Sequence, residues 1–319
     1  MPELPEVQTT VTGLSKTIVG HTIIDVWTDY NSPYFHGSDT IKDPRYFKYF
    51  KKEILGEKIT SVSRRAKNVL IHVGKKGIGQ KTILIHMKMT GHIMIGRYVF
   101  NKKNNSGKSK NGKWSPAPDE RTSLHDPYNR FIHFVLTLSN GKQLVLSDTR
   151  KFAKVTLVND VMMKFDDLGP EPLDKGFNYQ TFKERLHKKP QGKIKTVLMD
   201  QSIISGIGNI YSDEALWRTS IHPESKVECI PEAIMKKLYV SVIDVLKKGI
   251  DFGGDSMSDY RNVHGERGSF QEHHEVYRKK GLKCSFKIKG RSCGGVIQRK
   301  VVNGRSAHFC PVHQQLYSE

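Results

Sequence analysis

KIKTVLMDQSIISGIGNIYSDEALW occupies residues 193–217. Its periodicity predicts a helix that ends near Asp200, an Ile- and Gly-rich loop, and a second helix that starts at Asn209. Asp213 and Glu214 fall in the early turns of the second helix. Gly206 and Gly208 permit positive φ and a close backbone approach to a ligand. The open amides of a helix start bind phosphate. An ordinary helical hairpin would share the pattern, so the flanking sequence has to decide between packing and an anion site.

Segments 178–187 and 231–249 also carry helical spacing. Upstream, DDLGPEPLDKG (166–176) marks a boundary where the hydrophobic period changes. Before it the period is two: 22–28, 58–64, 68–73, 82–87, 92–100, 131–138, 143–147 and 152–158 read as strands, with a hairpin turn at SNGK (139–142). A helix over 4–18 leads them, with Leu4, Val7, Val11, Leu14 and Ile18 on one face. The expectation is an α+β protein whose N-terminal domain (1–165) is an antiparallel β-sandwich or barrel. A helical domain spans 166–275, its end marked by the polar, Gly-rich stretch 252–276. Residues 101–130 interrupt the strands, and their first part, NKKNNSGKSKNGK (101–113), reads as a disordered, passive surface loop.

The last segment, 276–319, holds Cys284, Cys293, Cys310 and His313, with intervals of eight, sixteen and two residues. Four such ligands in two pairs suit tetrahedral Zn²⁺, with the stretch between the pairs forming a two-stranded ribbon. So small a ribbon builds little core, and metal binding would supply much of its folding energy. Cys229 stands apart and is expected to be structural.

Composition narrows the partners. With 52 Lys+Arg against 32 Asp+Glu the net charge is +20, which favours a polyanion. No apolar run has membrane-spanning length and no secretory layout opens the chain, so an intracellular protein is expected, without a membrane partner. The N-terminus, MPELPEV, poses a separate question. Pro2, once Met1 is removed, is either a secondary-amine nucleophile or simply the start of a helix.

Taken in order, PELPEV, RRAKNVL, HMKMTG, LGPEPL, SGIGNIYSDEAL and GRSAHFCPVHQ closely resemble the formamidopyrimidine-DNA glycosylase / endonuclease VIII family of base-excision repair enzymes. The resemblance covers nearly the whole chain outside 101–130. It implies a β-sandwich, a helix-two-turns-helix domain and a zinc ribbon, with damaged double-stranded DNA in the cleft between domains and a monomeric enzyme. Pro2 matches the nucleophile, Glu3 the acid/base residue, and Glu6 a residue that shapes the pocket. Lys67, Asn209 and Arg305 match phosphate contacts, as do Lys195 and Tyr277. Met89, Arg150 and Phe152 match the side chains that fill the void left by an extruded base.

Leu4, the filler set and the long loop 252–275 resemble the branch that removes oxidised purines. The pyrimidine branch, similar to endonuclease VIII, usually has Gly at position 4. A damage binder without activity and a zinc-ribbon regulator are the alternatives from other classes. Several positions depart from the family pattern. Lys88 replaces a small residue before Met89, Lys151 replaces an arginine, and Ser258 lies where a lysine often meets the lesion. SFKIKGRS (285–292) is inserted in the finger, and His313 replaces a fourth cysteine. These bear on lesion and opposite-base preference and on the metal set rather than on the chemistry.

Overall fold

The structure, a computed structural model, describes residues 1–75, 79–102, 112–159, 164–257 and 259–318. The described chain divides into two compact units, Met1–Phe165 with Phe252–Ser269, and Asp166–Asp251 with Phe270–Glu319. Among the described residues no helix is long and apolar enough to cross a membrane.

The first unit opens with α1 (Leu4–Thr17), followed by β1 (Ile23–Thr28), α2 (Pro44–Ile54), β2 (Ile59–Arg65), β3 (Asn68–Val73), β4 (Lys81–His86) and β5 (Gly91–Gly96). Then come β6 (Tyr98–Asn101), β7 (Lys113–Pro116), β8 (Ile132–Leu138), β9 (Gln143–Asp148) and β10 (Lys154–Val158). Two antiparallel sheets form, in the orders β1-β8-β9-β5 and β10-β4-β3-β2. Their inner faces meet in one core, and the two-residue period says why. Val69, Ile71 and Val73 of β3 face Phe134, Leu136 and Leu138 of β8 and Leu144 and Leu146 of β9. Val7, Val11, Leu14 and Ile18 close the core with the apolar stripe of α1. Truncating a wholly buried member such as Leu14 to Ala should cost about 2–5 kcal/mol.

Residues 113–130, the later part of the interruption between the strands, carry structure of their own. β7 pairs with β6, and Leu124, Tyr98 and Trp114 cover Met94, Val135 and Val145 on the outer face of the β1-β8-β9-β5 sheet. That face is apolar and has to be buried. Residues 103–111 of the expected disordered loop lie outside the described residues. The stretch 252–269, grouped in sequence with the helical domain, packs in the first unit. Val263 enters the sandwich core, and its carbonyl accepts the Ile95 amide at 2.9 Å. Arg261 pairs with Asp126 at 3.1 Å.

The second unit holds α3 (Tyr179–Leu186), α4 (Ile194–Met199), α5 (Asn209–Arg218) and α6 (Glu232–Asp251). The hairpins β11 (Lys287–Ile288) with β12 (Arg291–Ser292), and β13 (Gln298–Val302) with β14 (Arg305–Phe309), complete it. Asn303 and Gly304, at φ 45° and 76°, make the tight turn between β13 and β14, the conformation an Asn-Gly pair favours.

Candidate active site and nucleic-acid contacts

Pro2 is buried at the head of α1, while Met1 is 40% exposed. Glu3 is the N-cap of α1 and Glu6 the third helical residue, a capping-box spacing that ties the two carboxylates to the helix start. Glu6 Oε2 accepts the Glu3 amide at 2.7 Å, and Oε1 accepts the Asp255 amide at 2.7 Å. The Tyr260 hydroxyl donates to the Glu6 carbonyl at 2.9 Å. Glu6, 1% exposed, therefore joins the helix start to the stretch 252–269. Burial, and then the Glu6 charge, push the Tyr260 phenol above its ordinary value, which keeps it a donor. Pro2, Glu3 and Glu6 are thus buried together at the start of α1. Ser258 lies outside the described residues.

Lys67 follows Ala66, at φ 53°, in the turn between β2 and β3, and is 6% exposed. Arg64 braces that turn, donating to the Ala66 carbonyl at 3.0 Å and to Gln8 of α1 at 3.0 Å. Nearby, burial and then the ammonium groups of Lys88 and Lys67 push His86 down to about 3. The neutral ring accepts the Lys88 amide on Nδ1 at 3.0 Å. This shapes the β4–β5 link, where Met89 is 42% exposed. The β9–β10 link presents Arg150 and Phe152, the guanidinium 4.4 Å from the ring centroid. Phe152 is 48% exposed. An exposed apolar side chain on each of two turns is what insertion into a base stack requires.

In the second unit, Gln201 holds the loop between α4 and α5. Its Nε2 donates to the Met199 and Ile207 carbonyls and its Oε1 accepts the Gly206 amide, at 2.8 to 2.9 Å. Asn209 then starts α5 with its side-chain amide 3.2 Å from Ser306 Oγ, next to the exposed Arg305. Tyr277 is half-buried. Its amide and those of Glu275 and Val276 donate to the Glu214 carboxylate at 2.9 to 3.0 Å.

Lys195 departs from the expectation of a phosphate contact. Its side chain is 0% exposed and its ammonium lies 2.7 Å from Asp213 Oδ1, which is equally buried. The ammonium also donates to the Asn209 carbonyl and to Ser212 Oγ, at 2.8 and 2.9 Å. Asp213 Oδ2 accepts the His308 amide at 2.9 Å. Lys195 thus braces the start of α5, and through Asp213 the hairpin that carries Arg305. In this arrangement it offers no free face to a phosphate.

The side chains of Cys284, Cys293, Cys310 and His313 bring their ligand atoms within 4.8 Å of one another. Cys293 and Cys310 sulfurs are 3.8 Å apart, and Cys284 Sγ is 3.5 Å from His313 Nδ1. A tetrahedral ion with bonds of about 2.3 Å to sulfur needs such spacings, and a disulfide does not. His313 Nε2 faces the Trp217 carbonyl at 3.0 Å, which leaves Nδ1 for a metal. Trp217 also donates its indole N–H to Cys284 Sγ at 3.3 Å. A Cβ on Gly295 would stand 2.3 Å from Cys310 Sγ, so the second glycine of CGG makes room for the cluster. These residues fit a single small ion. All four cysteines of the chain are free, Cys229 apart from the group.

Comparison with known proteins agrees with this arrangement. Residues 1–155 match the formamidopyrimidine-DNA glycosylase N-terminal domain and residues 168–261 the formamidopyrimidine-DNA glycosylase H2TH domain. A formamidopyrimidine-DNA glycosylase of Herpetosiphon aurantiacus is 34% identical over 98% of this chain and 100% of its own length. The chain belongs to the formamidopyrimidine-DNA glycosylase family. The Lactococcus lactis Fpg in complex with DNA containing an abasic site superposes with a TM-score of 0.76. It is 32% identical, with 98% of this chain and 99% of that one covered. A mutant of the same Fpg with Fapy-dG-containing DNA gives 0.77 at 33% identity, covering 98% and 100%.

Within this glycosylase fold, the sequence reading had no role for Asp148, Thr90 or Gln201. Asp148 could have been found. It stands at a strand end two residues before Arg150, whose amide it accepts at 3.3 Å, and that is a local turn signal for Asp. The Lys195–Asp213 pair has no comparable signal, because its partners meet only through folding.

Proposed function

We propose that the chain is a base-excision repair DNA glycosylase and abasic-site lyase that acts through Pro2 on oxidised purines, 8-oxoguanine and formamidopyrimidines. The observation that carries this reading is that Pro2, Glu3 and Glu6 are all buried at the head of α1. After Met1 is removed, the Pro2 nitrogen is a secondary amine, and terminal amines titrate near pH ~8, low enough to supply the free base. Its lone pair attacks C1′ of the damaged nucleotide. The bond to the base breaks, and the base leaves with a proton. Glu3 donates a proton to the sugar ring oxygen as the ring opens, and the nitrogen becomes an iminium.

The iminium withdraws electrons, so the 2′ proton can be taken by a carboxylate and the 3′ phosphate leaves. Loss of the 4′ proton then expels the 5′ phosphate. Water then hydrolyses the iminium, which frees the Pro2 amine and the sugar remnant and leaves a one-nucleotide gap. Covalent attachment thereby divides one hard cleavage into easier steps.

Lys67, Asn209 and Arg305 hold backbone phosphates, with Tyr277 beside them. Met89, Arg150 and Phe152 occupy the space that the extruded base leaves. Cys284, Cys293, Cys310 and His313 would hold one structural Zn²⁺. Such an ion would draw the ribbon together and so present Arg305, away from the chemistry. The enzyme works as an intracellular monomer. Three cysteines grouped with a histidine as for a metal, and none paired in a disulfide, support a reducing compartment.

Glu3→Gln should lower excision of 8-oxoguanine opposite C by about 10²–10⁴-fold while binding to an abasic-analogue duplex is kept. Unchanged excision would contradict the role of Glu3. Faster release of thymine glycol than of 8-oxoguanine by the unmodified enzyme would move it to the pyrimidine branch.

A further inference from the structure

We propose that Asp148 and Thr90 form a buried clamp that fixes the spacing of the two turns bearing Met89, Arg150 and Phe152, and so sets how efficiently a base is extruded. The inference rests on the reading of those three residues as void fillers. The two turns have separate origins. One links β4 to β5 and the other links β9 to β10, so each passes between the two sheets. Strand pairing sets the roots of the turns side by side, Gly91 against Asp148 and His86 against Lys154, and leaves their tips to be joined by side-chain bonds.

Asp148 supplies that link. It is 0% exposed, at the end of β9. Its Oδ1 accepts the Thr90 hydroxyl at 2.5 Å and the Arg150 amide at 3.3 Å. Oδ2 accepts the Ala153 amide at 2.7 Å and the Tyr30 hydroxyl at 3.3 Å. Thr90 Oγ1 in turn accepts the Arg150 amide at 3.2 Å. One carboxylate therefore meets the residue after Met89 and the backbone on both sides of Lys151 and Phe152. A buried carboxylate with its acceptor sites filled is rigid, because each lost donor exposes a buried charge.

Both wedge residues also follow a lysine held in the left-handed region, Lys88 at φ 56° and Lys151 at φ 54°. That conformation is unfavourable for lysine and persists only where the surroundings impose it. Two hydrogen bonds of Lys151 do so. Its amide donates to the Asp148 carbonyl at 3.1 Å, and its own carbonyl accepts Lys42 Nζ at 2.6 Å. Insertion needs Met89 and Phe152 to arrive together, and displacements of about 1 Å are costly in such geometry. Thr90 and Asp148 are positioning residues in this scheme and touch no substrate.

The test uses Thr90→Val, which keeps the shape and removes the hydroxyl, with Asp148→Asn beside it. Excision of 8-oxoguanine opposite C should fall about tenfold or more. Cutting of an abasic site in single-stranded DNA, with neither a base to extrude nor an orphaned partner, should change less than about twofold. The excision defect should shrink when the lesion faces a mismatch, which unpairs more easily. Equal losses on both substrates would reduce Thr90 to a structural role, and no loss on either would remove the clamp; each overturns the proposal. Met89→Ala in the same assay separates the two layers. If it leaves excision intact, the void-filling reading fails and the clamp with it. If it lowers excision and Thr90→Val does not, only the clamp fails.

Discussion

Glu3, Glu6 and Pro2 illustrate how far a single residue can be read. A Pro at the second position and two nearby carboxylates fit the first turn of a helix, and they do form one. The same geometry buries them, which the helix alone does not require. His86 and His92 show a consequence that sequence does not reveal. Burial, and then the Lys88 and Lys67 charges, hold His86 at about 3. Burial, the larger effect, holds His92 at about 4. In the unfolded chain both titrate near ~6.5. Below that pH the unfolded chain takes up protons that the native protein refuses. Stability present at neutral pH is therefore lost as pH falls from ~6.5 toward 4 and then 3. Denaturant titrations across this range should show the decline, and a His86→Gln, His92→Gln double variant should flatten it. An unchanged slope in that variant would contradict the assignment.

Secondary structure was legible where apolar residues keep a strict period. The stripe of α1, the alternation of β3, β8 and β9, and the helix starting at Asn209 lie where the pattern places them. α2 escaped detection because its face is aromatic and lysine-rich, with only Phe50 and Ile54 of the helix buried among its described side chains. A signal was present nonetheless. Asp43 accepts the Arg45 amide at 2.7 Å just before Pro44, the Asp-Pro start of a helix. Residues 113–130 escaped because a polar stretch is anchored by isolated residues such as Trp114 and Leu124.

The brace between α4, α5 and β14 was invisible for another reason, since a buried Lys–Asp pair leaves no periodic trace. Lys195→Ala should destabilise the second unit by about 3–5 kcal/mol, because Asp213 would remain buried without its cation. Lys195→Met, together with Asp213→Leu, should recover part of the loss. Thermal melts of the single and double variants check this. A single variant as stable as the parent would show that the pair is not a brace.

At the scale of the molecule, the net charge is +20. Sequence alone supported a polyanion partner. The order of motifs identified the damaged-DNA enzyme, and the structure supplies the exposure that separates Arg305 from Lys195. Arg305→Ala should reduce the slope of log K against log salt by about 0.9 on an abasic-analogue duplex, as loss of one phosphate contact requires. Lys195→Met should leave that slope unchanged if its ammonium never reaches the backbone. A drop of the same size for both would return Lys195 to the phosphate contacts.

Pro2 as the nucleophile is tested most directly by borohydride trapping. Protein whose N-terminus is verified as Pro2 is mixed with a duplex carrying one 8-oxoguanine opposite C, reduced, digested and mapped. A covalent adduct is expected on the N-terminal peptide at the Pro2 nitrogen. An adduct on a lysine instead, or none even with abasic DNA, would contradict Pro2 as the nucleophile.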